Sequence, residues 1–224
     1  MYRILTGDKA YSSWSLRGWL LLAAFDLPFQ DVPVRMYDPE FDAMQAAKAP
    51  ARTVPTLEWD EGGQSRRVWD TLAIAETLAE RHPDAGIWPM DPSHRAIARS
   101  LAAEMHSSFR ALRGDCPMNI HRPPAPMKIV AEDITVDVAR IGQLWSWALN
   151  QTGGPWLGGS KFSAVDAFYA PVAFRFREYA LSAPGTDDYG RRLLAHPAVV
   201  EWELMAIADP RRITRYDEHV SGGI

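Results

Sequence analysis

Three hydroxyls, Ser12, Ser13 and Ser15, open a helix-like pattern in the run Ser12-Ser13-Trp14-Ser15. Hydroxyls at such a place have two uses. One is capping, in which an oxygen accepts an orphan N–H of the first helical turn. The other is chemical. A Ser O–H pointing at a sulfur, aided by the positive end of the helix, favours the ionised thiol. No His lies nearby in the sequence to deprotonate either serine, which disfavours a serine nucleophile. Two other stretches could hold a ligand. Thr53-Val54-Pro55-Thr56-Leu57 places a proline just before a strand-like run. A cis bond there would turn the Val54 N–H and C=O outward as a pair able to hold an extended peptide; a trans proline at a strand start is the plain alternative. Asp70-Thr71 stands where a helix begins. It reads either as a cap or as a grip on a zwitterion, with N–H groups for a carboxylate and the Asp70 side chain for an ammonium.

These stretches need elements to carry them. Tyr2 to Leu5 reads as a strand, and Leu16, Leu20 and Ala23-Ala24 recur at helical spacing. Phe29 to Met36, Thr56 to Trp59 and Arg66 to Trp69 read as strands. Phe41 to Lys48 reads as a short helix or turn, Asp60-Glu61-Gly62-Gly63 as a hairpin turn, and Thr71 to Arg81 as a helix. The order β-α-β-α-β-β-α implies a small mixed sheet covered by helices. His82 to Pro92, with three prolines and a glycine, suits a linker. Beyond it the pattern is helical: Ser93 to Arg113, a helix striped by Ile134, Val138, Ile141 and Trp145, then Ser163 to Glu178 and Pro197 to Ala208. The tail from Asp209 to Ile224 reads as irregular. The fold class is thus α/β plus all-α, with domains at 1–82 and 92–208.

Composition narrows the class. A net charge of −4, from 24 basic and 28 acidic residues in 224, gives no reason to expect a polyanion partner such as nucleic acid. A single cysteine, Cys116, allows no internal disulfide and fits a reducing compartment. The apolar run Trp19 to Phe25 is far short of the roughly 20 residues a membrane helix needs. With no signal-peptide pattern either, the expectation is a cytoplasmic protein with no membrane partner. Six scattered histidines without paired spacing predict no metal site. Ser163-Ala164-Val165-Asp166 is a capping box and is read as structural. Nine tryptophans exceed the usual count, and some are expected to line a pocket.

Taken in order, "SSWSLRGW", "TVPTL", "WDTLAIAETLAE" and "FSAVDAFYAPV" resemble the cytosolic glutathione transferases over essentially the whole length. The resemblance is to the serine-type bacterial members. "SSWSLR" is similar to the "SSCSWR" signature of the zeta class, with Trp14 where that class has Cys. It implies a thioredoxin-like N-terminal domain, a helical C-terminal domain, a homodimer and a role in detoxification. It also implies glutathione as co-substrate, its thiolate attacking a small electrophile. The alternatives are a glutathione-dependent isomerase or peroxidase, or a glutathione-binding interaction protein without turnover. By the resemblance, Ser12 is the catalytic hydroxyl, with Ser13 in that role if the register moves by one. Val54 before a cis Pro55 binds the cysteinyl backbone, and Asp70 and Thr71 hold the γ-glutamyl end. Arg52 and Lys48 could contact the glycyl carboxylate.

The second substrate should lie between the domains, against the helix Ser93 to Arg113. Met105, Phe109 and Leu112, with Trp14, are candidates for its wall, though each residue type is more often core. Arg110 and Arg113 suit an anionic co-substrate or a solvated helix face. Ser12 to Ser15 occupies the place where redox relatives carry Cys-x-x-Cys, so disulfide exchange by that route is excluded. Cys116 is read as a packed or incidental thiol.

Overall fold

The computed structural model describes residues 1–218, with Glu40 described by its backbone alone. The strands are β1 (Tyr2–Thr6), β2 (Phe29–Pro33), β3 (Thr56–Glu61) and β4 (Gln64–Trp69). They form one sheet in the order β2-β1-β3-β4. β1 runs parallel to β2 and antiparallel to β3, with Ile4 opposite both Asp31 and Leu57. Parallel neighbours need a crossover, and α1 (Ser13–Ala23) supplies it. Antiparallel β3 and β4 need only a turn. Gly62 and Gly63, both at positive φ (58° and 75°), make it, which shortens the expected four-residue turn to two. α2 (Pro39–Ala47) and α3 (Thr71–Arg81) complete this part. It is the small mixed sheet the alternation implied, in the thioredoxin-like arrangement the resemblance implied.

The helical part comprises α4 (Pro92–Ser107), α5 (Arg110–Asp115), α6 (Glu132–Thr152), α7 (Ala164–Glu178), α8 (Asp187–Leu194), α9 (Pro197–Ala208) and α10 (Thr214–Asp217). α7 is buried on nearly every side and forms the centre of this part. Its Phe168 receives the Arg17 guanidinium of α1, and Trp19 of α1 meets Trp202 of α9 edge-on at 5.6 Å. One continuous apolar core therefore runs from the sheet through α1 into the helices.

Several elements depart from expectation for tertiary reasons. The single helix Ser93 to Arg113 is two. Ser108 is extended and Phe109 left-handed at φ 60°, so α4 ends and α5 restarts. Arg113 donates to the carbonyls of His106 and Ser108 at 3.1 Å each, and Asp137 accepts the Leu112 N–H at 3.0 Å. Groups that a continuous helix would pair internally are satisfied by side chains instead. β2 stops at Pro33 rather than Met36, because the Met36 N–H turns to Asp8. The tail carries α10, and its last residues, 219–224, lie outside the described ones.

α1 touches the sheet through a glycine. A Cβ on Gly18 would stand 2.5 Å from Cγ of Pro55. Gly18→Ala should therefore push α1 off Pro55 and lower stability by about 2 kcal/mol, the usual scale of overpacking. An unchanged denaturant midpoint would show that this contact has slack.

Candidate functional site

A cavity of about 770 Å³ opens between the sheet-containing part and the helices. Its floor is the N-terminus of α1. Ser12 is the N-cap. Its Oγ accepts the Ser15 N–H at 3.3 Å and donates to Ser15 Oγ at 2.8 Å. Ser15 Oγ in turn accepts the Gly7 N–H at 2.8 Å. The one proton of Ser12 is thus spent inside the fold. Ser13, the first residue of α1, lines the cavity and accepts from Nη2 of Arg175 at 3.5 Å. Among the described residues no acceptor takes the Ser13 proton.

Arg175 comes from α7 and is buried. The carbonyls of Cys116 and Pro171 fix it at 2.8 and 3.1 Å. Burial pushes its pKa down to about 10, which leaves it charged at neutral pH. Trp14 lies between two more guanidiniums, Arg17 at 4.6 Å and Arg113 at 4.9 Å from the ring centroid. Arg17 is fully buried, with Nε and Nη1 unpartnered. Burial first, then Arg113 and Arg175, push its pKa well below the ordinary value. Arg110 and Arg113 also line the cavity, with Arg52 on the opposite wall and Asp70 its one carboxylate among the described lining residues. The space favours anions.

On the sheet side the Val54–Pro55 peptide is cis. A second cis bond, Ala49–Pro50, lies in the same loop and was not anticipated. Val54 lines the cavity, and the β1–β3 ladder starts only at Thr56. No described hydrogen bond engages the Val54 N–H or C=O. Asp70 caps α3 from a left-handed φ of 75°, its Oδ1 accepting the Leu72 N–H at 2.9 Å. Thr71 is buried behind it. Its hydroxyl has no partner, and no described bond engages its N–H. Lys48 is elsewhere: its Nζ donates to Glu58 at 2.8 Å, beside Arg67 at 2.7 Å. Burial raises the Glu58 carboxyl, but the two cations outweigh it and hold it below the usual carboxylate range.

The matching family model is that of the glutathione S-transferase N-terminal domain, which covers residues 11–81. Residues 11–81 thus carry a glutathione S-transferase N-terminal domain. Curated relatives include maleylacetoacetate isomerases of Mus musculus, 24% identical over 91% of this chain and 90% of theirs, and of Pseudomonas aeruginosa, 25% identical over 88% and 92%. Among solved structures, a maleylacetoacetate isomerase from Anaeromyxobacter dehalogenans with bound glutathione superposes with a TM-score of 0.67. Its identity is 24%, covering 94% of this chain and 97% of that one. A glutathione transferase homologue from Burkholderia, also with bound glutathione, gives 0.69 at 20% identity, covering 93% and 99%.

This glutathione transferase-fold chain builds the helical wall of its cavity from other residues than the sequence suggested. Met105, Phe109 and Leu112 are buried in the core and do not line it. Ser107, Arg110, Arg113, Pro117, Met118 and Arg175 do. An arginine inside the apolar run Phe174-Arg175-Phe176 was the signal that sequence reading passed over. Three tyrosines were missed as well. Tyr11 stacks on Tyr216 of α10 at 5.1 Å, and the Tyr37 and Tyr216 hydroxyls meet at 3.0 Å. Tyr11 donates to Asp217 at 3.0 Å, and burial pushes its pKa up to about 12, so it stays a neutral phenol. Nothing local in the charged tail marks Tyr216 as a cavity residue.

The Cys116 thiol is buried against Met127, and burial pushes its pKa up to about 12, as an inert thiol requires. Among the described residues no group of three His, Cys, Asp or Glu side chains could hold a metal ion, and no helix is long and apolar enough to cross a membrane.

Proposed function

We propose that this cavity binds glutathione, activates its thiol, and directs it at a small carboxylate-bearing electrophile. The residues suit the tripeptide. The unpaired Val54 peptide can hold the cysteinyl backbone. The Asp70 carboxylate suits the ammonium, and the orphaned Thr71 hydroxyl and N–H suit the α-carboxylate. Arg52 suits the glycyl end, whereas Lys48, tied to Glu58, is left out of this reading. Bound there, glutathione would supply a thiolate able to add reversibly to a conjugated double bond.

The residues of the chain define the rest. Ser13 donates its free proton to the sulfur, and the fixed charge of Arg175 stabilises an anion beside it. A two-unit drop in thiol pKa corresponds to about 2.7 kcal/mol of preference for the anion. Arg110 and Arg113 hold carboxylates of the second substrate and favour negative charge that develops on it. Glutathione-dependent isomerisation of an unsaturated acid therefore has more support than conjugation of a neutral electrophile, and the isomerase names of the relatives point the same way. The reading extends to a homodimer acting in the cytoplasm. The observation that carries it is the uncommitted Ser13 hydroxyl beside a buried, charged arginine.

A thermal-shift titration tests binding. At one hundred times Kd, glutathione should add about 2.7 kcal/mol of stability. For a chain of this size that raises Tm by roughly 5–10 °C. No shift at millimolar glutathione would end this reading. A cis-enone diacid and an aryl halide, assayed side by side, then separate isomerisation from conjugation.

A further inference from the structure

The proposed ammonium site has a support that comes from the helical part of the chain. Asp70 stands at φ 75°, a conformation non-glycine residues adopt only when surroundings hold them there. Its Oδ1 is held by the Leu72 N–H. Its Oδ2 lies 3.2 Å from Nε2 of His106, in the last turn of α4. The His106 ring packs edge-on against Trp14, with centroids 5.1 Å apart. Its Nδ1 is buried without a partner. With its proton on Nε2, the ring lies within donor reach of Asp70 Oδ2. Burial lowers the His106 pKa; Asp70 opposes the effect, while Arg17 and Arg113 add to it. The imidazole is therefore neutral at neutral pH, a single fixed donor.

We infer that His106 is a positioning residue for the γ-glutamyl end of glutathione, braced by Trp14 and clamping Asp70 through Oδ2. Oδ1 then has the Leu72 N–H, and Oδ2 has the imidazole edge beside it. One side-chain orientation is presented to an incoming α-ammonium, so the site selects peptides with a free α-amino group. The inference rests on the glutathione reading above. It goes beyond it by making α4 part of the tripeptide site as well as of the second-substrate wall.

Calorimetric titration of glutathione into the full chain tests it without a known electrophile. His106→Ala should weaken glutathione about tenfold, within the range expected for losing a hydrogen bond to a charged group. The pKa of the bound thiol, read from thiolate absorbance, should stay where it is. His106→Gln offers an N–H at nearly the same reach and should restore most of the affinity. Asp70→Asn should lose at least as much as His106→Ala. Thermal midpoints of the variants report folding. If His106→Ala binds as tightly as the parent while Asp70→Asn does not, or if His106→Gln is as weak as His106→Ala, the clamp is overturned. If the parent protein itself does not bind glutathione, the reading of the whole cavity falls, and the clamp with it.

Discussion

Ser13→Ala should lower turnover about a hundredfold, the scale on which losing one preorganised donor at a developing anion is felt. The pKa of the bound thiol should rise, and the acid limb of the pH–rate profile should move up with it. Ser12→Ala should behave differently. Its Oγ caps α1 and closes a chain through Ser15 to the Gly7 N–H. Removing it should cost about 1 kcal/mol of stability, as lost N-caps do, and leave most of the rate. The contrast follows from proton ownership. A hydroxyl that already donates inward must break that bond to serve a sulfur, whereas Ser13 has only an incoming contact, from Arg175. A Ser12→Ala enzyme that lost its rate while Ser13→Ala kept it would reverse the assignment. So would an unmoved thiol pKa in Ser13→Ala.

The sheet-containing part was legible because its signals are local. β1 and α3 show their period in the sequence, and α3 was bounded at Thr71 and Arg81 by an N-cap Asp and a following His-Pro. The Asp70 cap and the proline before β3 were legible for the same reason: both are written into neighbouring residues. The helical wall of the cavity was not. The Ser108–Phe109 break is held by Arg113 and Asp137, the latter on another helix. Once α4 stops there, the apolar stripe through Met105 and Leu112 stays in the core and the polar side, Arg110 and Arg113, faces the cavity. Arg175 and Tyr216 arrive from 160 and more residues away in the chain, and no window of sequence contains both them and Ser13. The same separation explains the electrostatics. Net charge is slightly negative, yet folding gathers arginines from four segments around one space, so charge bookkeeping on the chain says nothing about the site.

Asp166→Ala should be the most destabilising of the substitutions considered. Its carboxyl accepts the Leu157 N–H at 3.1 Å, the Ser163 N–H at 2.9 Å, the Ser163 hydroxyl at 3.2 Å and the Tyr189 hydroxyl at 2.7 Å. The capping box read from Ser163 and Asp166 is therefore the smaller half of its role. It also ties the start of α7 to the preceding loop and to α8. Truncation strands four donors in the core, each costing on the order of 1 kcal/mol or more, so about 4 kcal/mol is expected at neutral pH. For a chain of this length that lowers Tm by roughly 8–16 °C. The loss has a pH signature. Burial pushes the Asp166 carboxyl up to about 6, from 3.8, against the hydrogen bonds it accepts. The folded state then binds this proton more tightly than the unfolded chain does. That contribution is complete below the ordinary carboxylate range and fades as pH rises through about 6. The stability gap between parent and Asp166→Ala should accordingly be wider at pH 4 than at pH 7, as denaturant midpoints would read. A gap that widens with pH would mean the group folds as a carboxylate, held by its four donors more strongly than burial opposes it.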